Sequence, residues 1–141
     1  DKEMSVINDL IRTEENGTLS FGNTELPAKA KLDGYEYNGD LYKIKTFKEI
    51  TKLEKNGTMV YESVPGTVVH DLKIEENTVT FQVEGTEDAQ ITLEMEAGKE
   101  YKIYVDDTNL GKMKTNLGGK LSFSVELVPN EIATVKIHKV L

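Results

Sequence analysis

Leu121-Ser122-Phe123-Ser124-Val125-Glu126-Leu127 alternates apolar and polar residues without a break. A period of two puts Leu121, Phe123, Val125 and Leu127 on one face of an extended chain and Ser122, Ser124 and Glu126 on the other. This is the pattern of a half-buried β-strand. The same period runs outward from it. Val79, Phe81 and Val83 alternate in residues 78–83, Ile91, Leu93 and Met95 in residues 90–95, and Ala133, Val135 and Ile137 in residues 133–140. Strand-like residues 101–105 and 110–115 flank the turn Asp106-Asp107-Thr108-Asn109.

Turn signals punctuate the rest at the short spacing of an all-β protein. Asn16-Gly17 and Asn56-Gly57 suit tight hairpins, and Asn38-Gly39 and Gly118-Gly119 are similar. Pro27, Pro65 and Pro129 each sit where a strand should stop. Val6-Ile7-Asn8-Asp9-Leu10-Ile11 fits one or two helical turns, or a bulged first strand pairing with residues 18–21. Asn16-Gly17 follows so soon that the strand is favoured. Residues 24–31 have room for a helical turn around Pro27. Val64-Pro65-Gly66 is the best boundary, with six strand-like runs before it and seven after. The expected fold class is all-β: a small antiparallel N-terminal lobe over residues 1–68, then a β-sandwich over residues 69–141.

The chain has 141 residues, and about two-thirds of its surface can be buried on folding. There is no cysteine, so disulfides and thiolate metal sites are excluded. The formal charge of −8 repels phosphate backbones, which argues against nucleic acid. The densest basic stretch, Lys43, Lys45, Lys48, Lys52 and Lys55, is interrupted by Glu49 and Glu54 and reads as the wet face of a strand. No apolar run reaches the ~20 residues of a membrane span. Asp1-Lys2-Glu3 reads as an expression remnant before a native start at Met4 or Ser5, which would make the protein cytoplasmic; if Asp1 is a processed end, it is extracellular.

Met95-Glu-Ala-Gly-Lys-Glu-Tyr101, followed by Lys102-Ile-Tyr-Val105, resembles the corner of fibronectin type III sandwiches, with Ala97 where that pattern has proline. The resemblance implies an immunoglobulin/fibronectin-III-like sandwich in which the hydroxyl of Tyr101 bonds back to the corner backbone. Residues 105–127 are similar to accessory sandwiches of carbohydrate-active enzymes. Three further runs, Leu10-Ile-Arg-Thr-Glu-Glu-Asn-Gly-Thr-Leu-Ser-Phe-Gly22, Lys43-Ile-Lys-Thr-Phe-Lys-Glu-Ile-Thr-Lys-Leu-Glu-Lys-Asn-Gly57 and Val60-Tyr-Glu-Ser-Val-Pro-Gly66, resemble small proteins of gut anaerobic bacteria labelled endosialidase. That resemblance implies hydrolysis of sialic-acid polymers.

Arginine forks are the usual clamp for a sugar carboxylate, and this chain has only Arg12. Glu94 and Glu96 share one strand face and read as solvated. His70 and Asp71 are neighbours that a strand would point apart, and His138 alternates with Ile137 and Lys139. Asp106, Asp107 and Asn109 form a calcium candidate without the spacing of an EF-hand, and Asp and Asn are ordinary turn residues. Glycan binding needs an aromatic surface. Tyr35 and Tyr37 share a face beside Asn38-Gly39-Asp40, so with Tyr42 they form the binding candidate; the alternative is that they cap the core.

The expected function is non-catalytic, without cofactor: self-assembly or partner binding through edge strands, the first (residues 5–13) and the last (residues 133–140) being the candidates. A carbohydrate-binding accessory module is the alternative, and an endosialidase-type hydrolase comes third.

Overall fold

The computed structural model describes residues 5–141; the expected remnant at residues 1–3 and the start at Met4 lie outside them. The chain is all-β. Its strands are β1 (Ile11–Thr13), β2 (Leu19–Phe21), β3 (Ala30–Tyr37), β4 (Asp40–Phe47), β5 (Ile50–Lys55), β6 (Thr58–Val64), β7 (Val68–Ile74), β8 (Thr78–Glu84), β9 (Ala89–Glu94), β10 (Glu100–Val105), β11 (Thr108–Lys114), β12 (Lys120–Val125) and β13 (Ala133–Lys139). All three prolines fall between strands. No helix among the described residues is long and apolar enough to cross a membrane.

Two antiparallel sheets form. The seven-stranded sheet runs β1-β2-β7-β8-β13-β10-β11, and the six-stranded sheet runs β12-β9-β6-β5-β4-β3. The alternating apolar residues of both point inward. Leu121, Phe123 and Val125 of β12 are buried, as are Phe21, Phe81 and Val135 from the opposite sheet. Tyr61 of β6 locks the layers together, meeting Phe21 edge-on at 5.3 Å and Phe81 at 5.8 Å.

This arrangement corrects the expected two-lobe division. β2 pairs with β7 across residue 68, and β6 pairs with β9. One buried cluster runs from Ile11 to Ile137. The physical reason is that β3 to β6 end in an open strand whose inner face needs Ile91 and Leu93 beside it. The seven strands after Pro65 therefore divide five and two between the sheets. The edge expectation changes as well. β13 lies between β8 and β10 in mid-sheet, and residues 133–140 are no edge. Among the described residues the unpaired edges are β1, only three residues long, and β11, β3 and β12.

Hydroxyls, not apolar groups, close the sandwich at its Pro65 end. Thr67 takes bonds with Tyr61 and Ser63, each 2.7 Å, and its carbonyl accepts from Thr51 at 2.7 Å. Thr51 meets Thr46 at 2.9 Å, and Thr46 accepts the amide of Asn23 at 3.0 Å. All are buried, and each hydroxyl has a partner, which such a network needs to be stable.

Candidate binding cleft

The Asn-Gly turns gather at the other end of the sandwich. Asn38-Gly39 and Asn56-Gly57 have positive φ at both residues, the backbone of a two-residue type I′ hairpin. Asn16-Gly17 differs: only Gly17 has positive φ, and Gly17 donates back to Glu14 in a longer loop. Cross-links tie these turns together. Tyr37 Oη donates to Gly17 O at 2.6 Å. Asn56 accepts the amide of Leu41 and donates Nδ2 to Asp40 at 2.8 Å.

Between the turns a cleft of about 350 Å³ opens where the two sheets part. Tyr37 and Tyr42 form one wall, their rings edge-to-face at 5.6 Å. Leu72 and the exposed Ile74 face them from β7. Asn38, Asp40, Lys55 and Glu94 supply the polar rim. Asp40 is held below the usual carboxylate range, first by the Asn56 amide and then by Lys55, whose Nζ lies 3.5 Å away. It is thus an ionised acceptor with a fixed direction. Burial, with Asp40 and Tyr37 nearby, pushes the Tyr42 hydroxyl up, so that ring stays neutral.

Of the expected tyrosines, Tyr37 and Tyr42 line the cleft. Tyr35 lies opposite Tyr42 across the β3–β4 ladder, but its hydroxyl is bonded to Thr13 at 2.8 Å and it is not part of the lining. All three rings also pack on the core. Leu72 and Ile74 carry no such signal in the sequence, and Lys55 and Glu94 read there only as solvated strand faces, because pairing between distant strands is what brings all four to the cleft.

The other candidates separate. Asp106 and Asp107 form a type I′ turn, both at positive φ. Asp106 accepts the amide of Thr134 at 2.9 Å, Asp107 lies 3.7 Å from Lys136, and Asn109 accepts the amide of Gly111 at 2.7 Å. Their oxygens serve three different partners. No group of three or more metal-binding side chains occurs among the described residues. Glu94 pairs with Lys120 and Glu96 with Lys139, while His138 stacks edge-on with Tyr104. The ring of Tyr101 is buried, and its hydroxyl accepts the amide of Glu96 at 3.1 Å. Lys31, Lys45 and Lys52 stand directly opposite one another on β3, β4 and β5, and the row continues through Glu62, Thr92 and Ser122.

His70 does not bond Asp71. Its Nε2 lies 2.7 Å from Glu84 in a buried pair. Asp71 has φ of 56° at a bulge in β7. Next to them, Arg12 Nε donates to Glu14 at 3.0 Å, so the one arginine is spent on a neighbour. Glu14 is held below the usual carboxylate range, chiefly by the Ser20 hydroxyl and further by Arg12 and His70, against the opposing effect of burial. A carboxyl with a depressed folded pKa stabilises the fold above its unfolded value, and that contribution is lost as pH falls through the folded one. Ser20→Ala removes the largest cause. The acid limb of stability is therefore expected to be shallower in the variant, read from urea midpoints between neutral and acid pH. Parallel profiles would contradict the role given to Ser20.

Comparison with known proteins finds no matching family model, no matching curated protein and no matching solved structure.

Proposed function

We propose that this protein is a non-catalytic binding module whose cleft between Tyr37 and Ile74 takes a neutral mono- or disaccharide. One observation carries the reading: aromatic and aliphatic walls face each other beneath a rim of oriented polar groups. A sugar ring has an apolar C–H face and a periphery of hydroxyls, and the cleft has a surface for each. The carboxyl groups of Asp40 and Glu94 can accept from hydroxyls, while Lys55 and Asn38 can donate. The volume is that of a small-ligand pocket. Each rim carboxylate already has its own ammonium, Asp40 that of Lys55 and Glu94 that of Lys120, so no cation is left over for an acidic sugar, and a chain of net −8 disfavours one further.

Backbone NMR titration with a panel of neutral sugars at millimolar concentration tests this. Shifts are expected at Tyr37, Asp40 and Ile74. Tyr37→Ala and Ile74→Ala are each expected to weaken binding roughly tenfold, about 1.4 kcal/mol. Ile74 is more than half exposed, so its variant should keep the fold. A panel without shifts at these residues would overturn the proposal, as would tighter binding of sialic acid. Polysialic acid incubated with the protein should leave the chromatographic column with its length unchanged.

A further inference from the structure

The edges of the two sheets are not equally guarded. β1 has three residues, β3 is bent by a bulge near Gly34, and β11 carries Lys112 and Lys114 and a bulge opposite β10. Each is a known way of blunting an edge. β12 has neither bulge nor proline, and it pairs in unbroken register with β9 from Lys120↔Glu94 to Val125↔Ala89.

The hydrogen bonds show which groups β12 leaves open. Met95 N–H donates to Gly119 O, which makes Gly119 and Met95 a directly bonded pair in that register. Bonded pairs alternate along an antiparallel ladder, so Leu121, Phe123 and Val125 also turn their backbone groups toward β9. Lys120, Ser122 and Ser124 turn theirs away. Asn116 satisfies Lys120, donating its amide to Lys120 O and accepting Lys120 N–H on Oδ1 at 3.0 Å. The backbone N–H and C=O groups of Ser122 and Ser124 point out of the sheet edge. Exposed apolar side chains flank the strand along the chain, Leu117 (97 % exposed) before it and Val128 (56 %) after it, and Leu110 (41 %) stands on β11. Leu110 and Val128 line a cleft of about 460 Å³ alongside Ser124.

We infer that β12 pairs antiparallel with β12 of a second copy of this chain, about a two-fold axis at Phe123. This register sets Ser122 opposite Ser124 of the partner and Ser124 opposite its Ser122. The outward backbone groups of both copies are then matched, as an isologous interface requires. The same register brings Lys120 opposite the partner's Glu126, once at each end. Glu126 is exposed with no ion pair among the described residues, and Lys120 is already drawn along the outer face by Glu94 at 3.3 Å. Opposite charges directly across a ladder are favourable, and like charges are not. A register centred on Ser122 would lose both charge pairs. The inference does not rest on the sugar reading, although Glu94, the neighbour of Lys120, also lines that cleft.

Light scattering with the full chain across a concentration series, joined to amide hydrogen exchange, tests this. Mass is expected to rise toward a dimer, with the Ser122 and Ser124 amides slowing in step. Lys120→Glu and Glu126→Lys each place like charges opposite each other, and each is expected to weaken the homodimer at least tenfold. Mixing the two variants restores opposite charges at both ends, so a heterodimer is expected in native mass spectrometry. Lys120→Glu also faces Glu94, so Ser124→Lys serves as a second variant that blocks the edge without disturbing that contact. A strict monomer at all concentrations would overturn the inference. So would a dimer that survives Ser124→Lys, or one that forms without slower exchange at Ser122 and Ser124.

Discussion

Tyr61→Ala is expected to be the most damaging single side-chain truncation in the core, costing about 3–5 kcal/mol. Tyr61 is fully buried and is the largest fully buried side chain among the described residues. It fills the space between sheets, touching Phe21 and Phe81 edge-on, and its hydroxyl meets Thr67 at 2.7 Å. Truncation removes both ring contacts and leaves a cavity that two stiff sheets cannot close. Folded proteins have only about 5–15 kcal/mol in hand, so the variant should unfold at far lower urea. Tyr61→Phe keeps the ring and loses only the hydroxyl's bond, worth about 0.5–1.5 kcal/mol. Thr67 would still have Ser63 as a partner. Urea midpoints for the pair separate packing from hydrogen bonding; equal midpoints would show that the ring does not hold the layers. Burial also drives the Tyr61 hydroxyl far above its ordinary pKa, with Thr67 and Ser63 only partly opposing it, so it should not ionise before the fold is lost.

Gly22→Ala is the second large effect, and it acts through the backbone. Gly22 has φ of +106°, and a Cβ there would lie 2.5 Å from Thr67 O and 3.2 Å from Val68 Cα. The residue cannot retreat, because its N–H donates to Leu10 at 2.9 Å and its carbonyl accepts from Ile7 at 3.0 Å. Gly39 is the control: it also has positive φ, +82°, but a Cβ would meet nothing within 4 Å. Gly39→Ala should show only conformational strain, about 1–2 kcal/mol. Gly22→Ala should show that strain and the collision with β7, and so a distinctly lower urea midpoint. Similar midpoints for the two would mean that the β2–β7 junction yields more easily than its hydrogen bonds indicate.

What could be read from the sequence was local. The alternation in residues 121–127 and 78–83 marks β12 and β8 because a period of two needs no knowledge of the partner strand. Asn38-Gly39 and Asn56-Gly57 mark hairpins because few residues accept positive φ. Asp106-Asp107 has the same conformation, and its acidic composition suggested calcium where the backbone needed a turn. Strand neighbours were not readable. Ala133 to Lys139 ends the strand order along the chain yet lies in mid-sheet, and nothing in its composition distinguishes a centre from an edge that is half-buried in the same way. The cleft was half visible for the same reason. Tyr37 and Tyr42 follow from one hairpin, whereas Leu72 and Ile74 arrive from the other sheet.

The interleaving of early and late strands has a consequence during synthesis. β3 to β6 form a run of neighbours joined by short turns and can pair as they leave the ribosome. β6 then waits with Tyr61 uncovered until Ile91 and Leu93 emerge, some thirty residues later. At roughly 5–20 residues per second, a bare strand edge is exposed for seconds. The seven-stranded sheet waits longer, since β8 and β10 are bridged only by β13, the last strand to appear. A nascent chain stalled before residue 133 would therefore carry every strand of the six-stranded sheet but a seven-stranded sheet split between β8 and β10, a natural client for a chaperone at the exit tunnel.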